Sequence, residues 1–350
     1  MRGVIDVPES MLPVATLVER ALERVRVRFD RQLASDLPAV SDLVAHVERY
    51  RGKMLRPMLA VLSGVAVDPH ASEALEAGGA DAVELSDDLI TVAGVCEMVH
   101  MATLVHDDVL DEADVRRRGA TLNRLRGNEA AVILGDYLIA GSYHLCSQIG
   151  DQRVALEIGR VCMSLCAGEL LQIDNRDEYS IDEPTYFEII ERKTGELIGA
   201  AAGLGAKVCG APDEVAEAMR RFGVGVGLAF QIQDDLLDLL GREGTVGKST
   251  GKDLQKGKLT LPVIHHLINA EPVARGQTLI LLETAGEAID ADHALGDRLV
   301  ESLNSTGSIE AARTHAVRLV NEAKSEIENL TGPCADMLRL MADAVVDRAF

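Results

Sequence analysis

The sequence lacks several features that would point to particular classes of protein. It contains no tryptophan, and aromatic residues make up only 3% of its 350 residues, so its core must be packed with aliphatic and methionine side chains. Basic residues are scarce as well, because 35 Lys and Arg stand against 56 Asp and Glu, which gives a net charge of −21. Nucleic-acid binding needs a basic face that neutralises phosphates. We therefore do not expect nucleic acid as a partner.

Signals for export, for disulfides and for membrane insertion are also missing. The six cysteines form no CxxC pair and no clustered framework, which predicts free thiols in a reducing cytoplasm. The opening stretch MRGVIDVPESMLP contains acidic residues and two prolines, so it does not resemble a signal peptide. No apolar run reaches the ~18 residues that span a membrane. We expect a cytoplasmic protein without a transmembrane segment.

Strand signals are absent, and helical periodicity dominates instead. There is no Asn-Gly or Asp-Gly hairpin, whereas apolar residues recur three and four apart in long stretches. These stretches cover residues 14–33, 41–50, 56–67, 89–110, 128–149, 152–173, 183–208, 213–240 and 308–330. Residues 68–86 and 241–251 are predicted to be loose. We predict an all-α fold, a single large helical bundle with a central cavity, as one domain over residues 1–350. Its core motifs occupy about 50–265, and 270–350 adds C-terminal helices.

Two of the predicted helices carry three aspartates at the same spacing. The first set, in DDVLD, is Asp107, Asp108 and Asp111, and the second, in DDLLD, is Asp234, Asp235 and Asp238. In an α-helix, residues i and i+4 share a face, while residue i+1 lies about 100° around the axis. The first and third aspartates of each set are therefore predicted to point the same way, with the second to one side.

Crowded carboxylates among apolar residues repel one another or take up protons unless a cation intervenes. A solvated acidic face would explain one such motif, but it fits two motifs in hydrophobic helices poorly. Mg²⁺ binds one or two carboxylates and completes its shell with water and substrate phosphate. Helices that face each other in a bundle can supply those carboxylates. We therefore expect two acidic walls with Mg²⁺ ions and a polyphosphate between them.

Basic residues cluster near the aspartates although the chain as a whole is acidic. The groups are Arg51, Lys53 and Arg56; Arg116, Arg117 and Arg118; Lys193; and Lys248, Lys252, Lys256 and Lys258. Arginine contacts phosphate through two parallel hydrogen bonds, and lysine acts as a point charge. The clusters therefore predict binding sites for a phosphorylated substrate.

Ordered motifs make the chain similar to the trans-type polyprenyl diphosphate synthases, which have the isoprenoid synthase fold. The matching segments, between about residues 50 and 265, are RGKMLRP, EMVHMATLVHDDVLDEADVRRRGATLN, GNEAAVILGDYL, GELLQ, KTGELIGAAAGLGA and GLAFQIQDDLLDLLG followed by GKSTGKDLQKGKLTLP. The resemblance implies a prenyltransferase that adds isopentenyl diphosphate head-to-tail to an allylic diphosphate. It also implies Mg²⁺-dependent ionisation, condensation and elimination, and a homodimer.

The resemblance also implies roles for individual residues. The catalytic set would be Asp107, Asp108, Asp111, Asp234, Asp235, Asp238, Lys193 and Lys248. Three Mg²⁺ ions per substrate-bound site would be held by Asp107, Asp108, Asp111, Asp234 and Asp238. The allylic diphosphate would also contact Arg116, Thr194, Gln231 and Lys258, and isopentenyl diphosphate would contact Lys53, Arg56, His100 and Arg117.

The helix that carries the first motif also carries residues that are expected to limit product length. In the family, a bulky aromatic residue at the position of Ala102 or Thr103 closes the pocket early, and both residues are small here. The helix rises about 24 Å from Asp107 back to Thr91, which leaves room for a tail of several isoprene units. Met98 is the candidate floor of the pocket lower down on that helix. We expect a medium- to long-chain all-trans product of the quinone side-chain type.

Other functions fit parts of the sequence. A short-chain farnesyl or geranylgeranyl diphosphate synthase would carry the same motifs. A terpene cyclase or head-to-head condensing enzyme would lack GKMLRP and the complete second motif. A non-catalytic partner subunit would be expected to have degenerate aspartates, whereas both sets are intact. An acidic metal-binding scaffold would release no diphosphate from the two substrates.

Overall fold

A computed structural model describes residues 7–47, 50, 52–116, 119–176, 178–241, 252–288 and 293–347. These residues are almost entirely helical, which confirms the all-α prediction. The helices of the first half are α1 (Leu12–Leu33), α2 (Pro38–Val47), α3 (Leu55–Ala66), α4 (Pro69–Gly78), α5 (Asp87–Leu110), α6 (Leu122–Arg126), α7 (Asn128–Cys146) and α8 (Gln152–Asp174).

The second half continues in the same way. Its helices are α9 (Glu183–Ile190), α10 (Glu196–Val208), α11 (Asp213–Leu240), α12 (Lys252–Gln255), α13 (Leu261–Asn269), α14 (Pro272–Ala288), α15 (His293–Ser305), α16 (Ser308–Glu326) and α17 (Pro333–Val346). Short 3₁₀ turns lie at Glu9–Met11 and Ala80–Ala82, and a π-helical turn at Glu191–Gly195 joins α9 to α10.

The chain forms two compact units, each built from separate stretches. The first unit comprises residues 1–162, 197–223 and 326–341, and the second comprises 163–196, 224–325 and 342–350. The prediction of one domain over the whole chain stays a prediction.

In the first unit, α5 lies at the centre of the packing. Helices α1, α3 and α7 contact it, and α3 also approaches α10 closely. A Cβ on Gly205 would lie 2.2 Å from the carbonyl oxygen of Ala60, so only glycine allows that approach. By length and composition α5 could cross a membrane, contrary to our expectation that no run is apolar enough, but 78% of its most apolar window is buried inside the protein. That burial is typical of a core helix.

In the second unit, α13 contacts α9, α14 and α15. A buried histidine joins α13 to α14 and to the residue that follows α15. His266 of α13 is fully buried, and its ring nitrogens hydrogen-bond Thr278 at 2.9 Å and Thr306 at 2.8 Å. Burial lowers its pKa, and the neighbouring His265 and Arg275 lower it further. The paired ring satisfies the polar groups that this packing would otherwise leave without partners.

Three local features differ from the sequence prediction. Helix α4 and the 3₁₀ turn at Ala80–Ala82 occupy the region predicted to be loose, because Asp68 caps α4 by accepting from the backbone N–H groups of His70 and Ala71. A two-stranded antiparallel ribbon, β1 (Val115–Arg116) and β2 (Gly119–Ala120), follows α5. The predicted helix 183–208 is interrupted by the π-helical turn.

Candidate active site

The first aspartate motif lies at the carboxyl end of α5. Asp107 and Asp108 belong to its last turn, and Asp111 is its C-cap residue. Asp108 is only 1% exposed, whereas Asp107 and Asp111 are half-buried. The three side chains thus differ in burial as the angular positions of residues i, i+1 and i+4 dictate.

Two side chains, Arg116 and Tyr50, hydrogen-bond the buried carboxylate of Asp108. Arg116 Nε donates to Asp108 Oδ1 at 2.8 Å. Within the described residues, Asp108 Oδ2 is buried and has no hydrogen-bond partner. A buried carboxylate oxygen without a donor is costly, and a bound divalent cation would satisfy it. The donor set of this motif therefore fits Mg²⁺.

The chain that follows α5 places Arg116 against the motif. Asn123 Nδ2 donates to the carbonyl oxygens of Asp108 at 3.0 Å and Ala113 at 3.2 Å, which fixes the end of the helix. The Arg116 guanidinium carbon lies 5.9 Å from the ring centroid of Tyr50. Burial raises the pKa of Tyr50 to about 12, and the negative charge of Asp108 contributes.

Of the described residues predicted for isopentenyl diphosphate, His100 lies on α5, Arg56 lies in the first turn of α3, and Lys53 precedes that helix. Lys53 is exposed, while Arg56 and His100 are half-buried. Burial lowers the pKa of Arg56, and the charge of the buried Glu97 on α5 opposes that shift. Arg56 Nε has no hydrogen-bond partner among the described residues.

The second aspartate motif lies near the carboxyl end of α11. Asp235 is 6% exposed, Asp234 is exposed, and Asp238 is half-buried. Asp235 Oδ2 accepts from the hydroxyl group of Tyr186 at 2.7 Å, and its Oδ1 accepts from Gln231 Nε2 at 2.8 Å. Burial raises the pKa of Asp235 to about 8, and the charge of Asp253 adds to that effect.

The π-helical turn presents two of the predicted diphosphate contacts. Lys193 Nζ donates to Gln172 Oε1 at 2.9 Å and forms an ion pair with Glu169. Thr194 Oγ1 donates to Gln231 Oε1 at 2.9 Å. The turn packs closely on α8, because a Cβ on Gly168 would lie 2.6 Å from Arg192 Cβ. Single π-helical turns often mark functional sites.

The structure brings some predicted residues together and leaves others outside. Arg116 joins Asp108 in the first unit, and Thr194 and Gln231 join Asp235 in the second. Lys256 and Lys258 follow α12 and are half-buried. Arg51, Arg117, Arg118 and Lys248 lie outside the described residues, as does the side chain of Lys252. Each motif is described within its own unit, so a joint site remains a prediction.

Of the described side chains, no group of three His, Cys, Asp or Glu residues is arranged to hold a metal by itself. That observation is compatible with Mg²⁺, which takes most of its ligands from water and substrate phosphates.

Sequence analysis did not assign several residues that contact the site. Tyr186, Glu169, Gln172 and Asn123 hydrogen-bond or pair with predicted site residues. Glu169 and Gln172 belong to the quoted segment GELLQ, which was a usable signal. Tyr186 lies 49 residues from Asp235, and nothing in its local sequence indicates that contact.

The predicted chain-length residues lie in the first unit. Met98 and Ala102 are fully buried, and Thr103 is half-buried. The Met98 sulfur lies 3.2 Å from the position that a Cβ on Gly141 of α7 would occupy. Met98 is therefore packed where α5 meets α7.

Comparison with known proteins decides the family. The family model described as polyprenyl synthetase matches residues 38–295. The chain belongs to the polyprenyl synthetase family. The family, the fold class and the enzyme class that the sequence predicts, a prenyltransferase, are thereby confirmed.

Relatives within the family cover most of the chain. It is 32% identical to heptaprenyl diphosphate synthase component 2 of Bacillus subtilis over 95% of this chain and 88% of that protein. It is 32% identical to octaprenyl diphosphate synthase of Escherichia coli over 95% and 97%. A geranylgeranyl pyrophosphate synthase of Geoglobus acetivorans is 31% identical over 87% and 89%.

Solved structures of polyprenyl synthases also match nearly the whole chain. A decaprenyl diphosphate synthase from Rhodobacter capsulatus superposes with a TM-score of 0.84 and 30% identity, over 97% of this chain and 99% of that one. A polyprenyl synthase from Caulobacter crescentus, complexed with calcium and isoprenyl diphosphate, gives 0.83 and 27% over 99% of both.

Proposed function

We propose that this member of the polyprenyl synthetase family adds isopentenyl diphosphate head-to-tail to an allylic diphosphate and releases a medium- to long-chain all-trans polyprenyl diphosphate. The observation that carries the proposal is the pair of intact aspartate motifs, each with a buried, hydrogen-bonded second carboxylate and two more accessible ones. A non-catalytic partner subunit has no need to keep both.

Mg²⁺ is the proposed cofactor, with three ions in the substrate-bound site. The ions would be held by Asp107, Asp108, Asp111, Asp234 and Asp238. The calcium in the related Caulobacter complex supports a site for divalent cations. When bound, Mg²⁺ neutralises the diphosphate and makes it a better leaving group. We expect chelation with EDTA to abolish product formation and added Mg²⁺ to restore it.

The protein's own residues would bind and orient the two substrates. Arg116 keeps further N–H donors besides Nε, so it can contact a diphosphate while it remains paired with Asp108. Lys193, Thr194, Gln231, Lys248 and Lys258 would contact the same allylic diphosphate. Lys53, Arg56, His100 and Arg117 would hold isopentenyl diphosphate with its double bond facing the allylic carbon.

The condensation needs no protein nucleophile. The allylic C–O bond breaks, the isopentenyl double bond attacks the allylic cation, and a proton of the adduct passes to the departing diphosphate. Positioning and the exclusion of water are therefore the protein's main contributions. The buried aliphatic residues of α5 suit a cavity that must protect a cation.

Product length is tested most directly by mass spectrometry. Purified protein with farnesyl diphosphate, isopentenyl diphosphate and Mg²⁺ should give products of heptaprenyl size or longer. The heptaprenyl, octaprenyl and decaprenyl relatives support that expectation, while the geranylgeranyl relative supports a short-chain synthase as the second candidate. With dimethylallyl diphosphate as the primer, a product that stops at farnesyl or geranylgeranyl diphosphate would favour the second candidate. No diphosphate release with either primer would reject catalysis.

The chain-length residues allow a matched test. Thr103→Phe and Ala102→Phe should shorten the product, because each places a ring on the predicted path of the growing tail. Ala93→Phe is the control, since Ala93 is equally buried on α5 but lies about 180° around the helix from Ala102. Unchanged products in both test variants would contradict the path.

We also propose a homodimer in the cytoplasm. Met163 and Leu170 lie seven residues apart on one face of α8 within the second unit and are 76% and 66% exposed, which supports a protein partner on that face. Met163→Glu should convert the dimer to a monomer in light-scattering measurements, whereas Ala77→Glu, at an exposed position on α4, should not. All six cysteines are free thiols, which supports a reducing compartment.

A further inference from the structure

Tyr186 has no part in the mechanism proposed above, yet it makes a short contact with the second motif. It lies on α9, is almost completely buried, and donates its hydroxyl hydrogen to Asp235 Oδ2 at 2.7 Å. Its ring meets Phe187 edge-on, with the ring centroids 5.5 Å apart. The ring packing alone would be served equally well by phenylalanine, so the hydroxyl group calls for a separate explanation.

The hydroxyl group completes a chain of side-chain hydrogen bonds. Thr194 donates to Gln231, Gln231 donates to Asp235 Oδ1, and Tyr186 donates to Asp235 Oδ2. The two carboxylate oxygens of Asp235 thus each accept from a neutral protein donor. Asp235 accepts on both oxygens, while Asp234 and Asp238 on the same helix are more accessible. Asp238 Oδ2 accepts from the backbone N–H of Asp253 at 3.0 Å.

We propose that Tyr186 is a positioning residue whose hydroxyl group, together with the amide of Gln231, fixes Asp235 and thereby the direction of Asp234 and Asp238 toward the metal-bound diphosphate. The motif lies in the last two turns of the 28-residue helix α11. Helix ends fray and rotate more easily than helix centres. A carboxylate tied to α9 and to the π-helical turn holds this end in one orientation.

This inference rests on the proposed function, and metal binding tests it without catalysis. Manganese is added to the protein in the presence of inorganic pyrophosphate, and the electron paramagnetic resonance signal of free Mn²⁺ is measured. Partners that orient metal-ligating side chains contribute about 10- to 100-fold to metal affinity. Tyr186→Phe should therefore raise the half-saturating Mn²⁺ concentration by about tenfold or more.

Two variants serve as controls. Tyr137→Phe removes a tyrosine hydroxyl from α7 and should bind Mn²⁺ as the wild type does. In an Asp235→Asn background, Tyr186→Phe should weaken binding little further, because the carboxylate on which Tyr186 acts is already gone. A full additional loss in that background would overturn the proposal.

Kinetics and stability separate positioning from a purely structural role. Tyr186→Phe should raise the Mg²⁺ concentration that half-activates the enzyme more than it raises KM for isopentenyl diphosphate. A lower melting temperature with unchanged Mn²⁺ binding would overturn the proposal.

If Tyr186→Phe does not fold, Gln231→Met takes its place, and unchanged Mn²⁺ binding in that variant would overturn the proposal equally. A wild type that binds no Mn²⁺ with pyrophosphate would overturn the proposed function and this inference with it.

Discussion

The two aspartate motifs share a sequence pattern, but the buried second carboxylate has different hydrogen-bond partners in each motif. Asp108 is paired with the cation Arg116 and keeps one oxygen without a hydrogen-bond partner among the described residues. Asp235 has neutral donors on both oxygens, and its pKa rises to about 8. We infer that the first motif offers a buried ligand to a metal, whereas the second uses its buried carboxylate as an anchor and offers the two outer ones.

Removing an outer carboxylate should have the largest effect. We expect Asp107→Asn and Asp234→Asn each to lower kcat by about 10³-fold, because each removes a carboxylate that would hold the Mg²⁺ needed to stabilise the departing diphosphate. Asp114→Asn is the control, since Asp114 lies just beyond the first motif and its side chain is largely exposed. Steady-state kinetics at saturating Mg²⁺ checks this, and loss in one motif alone would break the symmetry between the two.

Removing the partner of the buried carboxylate should distinguish the motifs by stability. Arg116→Met leaves the buried charge of Asp108 without its cation. We expect the free energy of unfolding to fall by about 1–3 kcal/mol. That loss is smaller than for a fully buried ion pair, because the Arg116 side chain is partly exposed. Tyr186→Phe removes one neutral donor and should cost about 1 kcal/mol. Thermal unfolding measures both, with Arg116→Lys as the milder control. A larger loss in Tyr186→Phe would reverse the comparison.

Two glycines, one beside the first motif and one beside the π-helical turn, offer a steric test with an effect of intermediate size. A Cβ on Gly135 would lie 2.1 Å from His106 Nε2, next to Asp107, and one on Gly168 would meet the turn that bears Lys193. Overpacking of this kind costs about 1–3 kcal/mol. Gly135→Ala and Gly168→Ala should lower both stability and activity, whereas Gly276→Ala, with no atom within 4 Å, should lower neither. Wild-type behaviour of Gly168→Ala would show that the close packing of the π-helical turn is dispensable.

The helices and the angular relation within each motif could be predicted from the sequence, because both follow from local helical geometry. The spacing of Asp107, Asp108 and Asp111 sets the second aspartate apart from the other two, whereas which of them is buried depends on how the helix packs. The contact of Tyr186 with Asp235 could not be predicted, because it depends on how α9 packs beside α11. The π-helical turn was missed for a related reason, since it accompanies the close approach at Gly168 and has no signature of its own in the sequence.

The smallest expected effect concerns pH and the C-terminal part of the second unit. The folded pKa of His266 lies below its ordinary value, so the unfolded chain binds more protons than the folded one as pH falls below about 6.5. Stability from this group is present above that range and is lost as pH falls toward the folded pKa. His266→Gln should flatten the decrease in melting temperature between pH 7 and pH 5, and the surface variant His70→Gln should not. An unchanged slope in His266→Gln would exclude His266 as a source of acid sensitivity.

We propose that both motifs hold the same metal-bound diphosphate. A crystal structure of the protein with Mn²⁺ and the slowly reacting analogue farnesyl thiodiphosphate tests this directly through the anomalous signal of manganese. We expect manganese bound to Asp107 and Asp111 of the first motif and to Asp234 of the second, with the same diphosphate in contact with these ions. Manganese bound to only one motif, with the other motif facing bulk solvent, would contradict it.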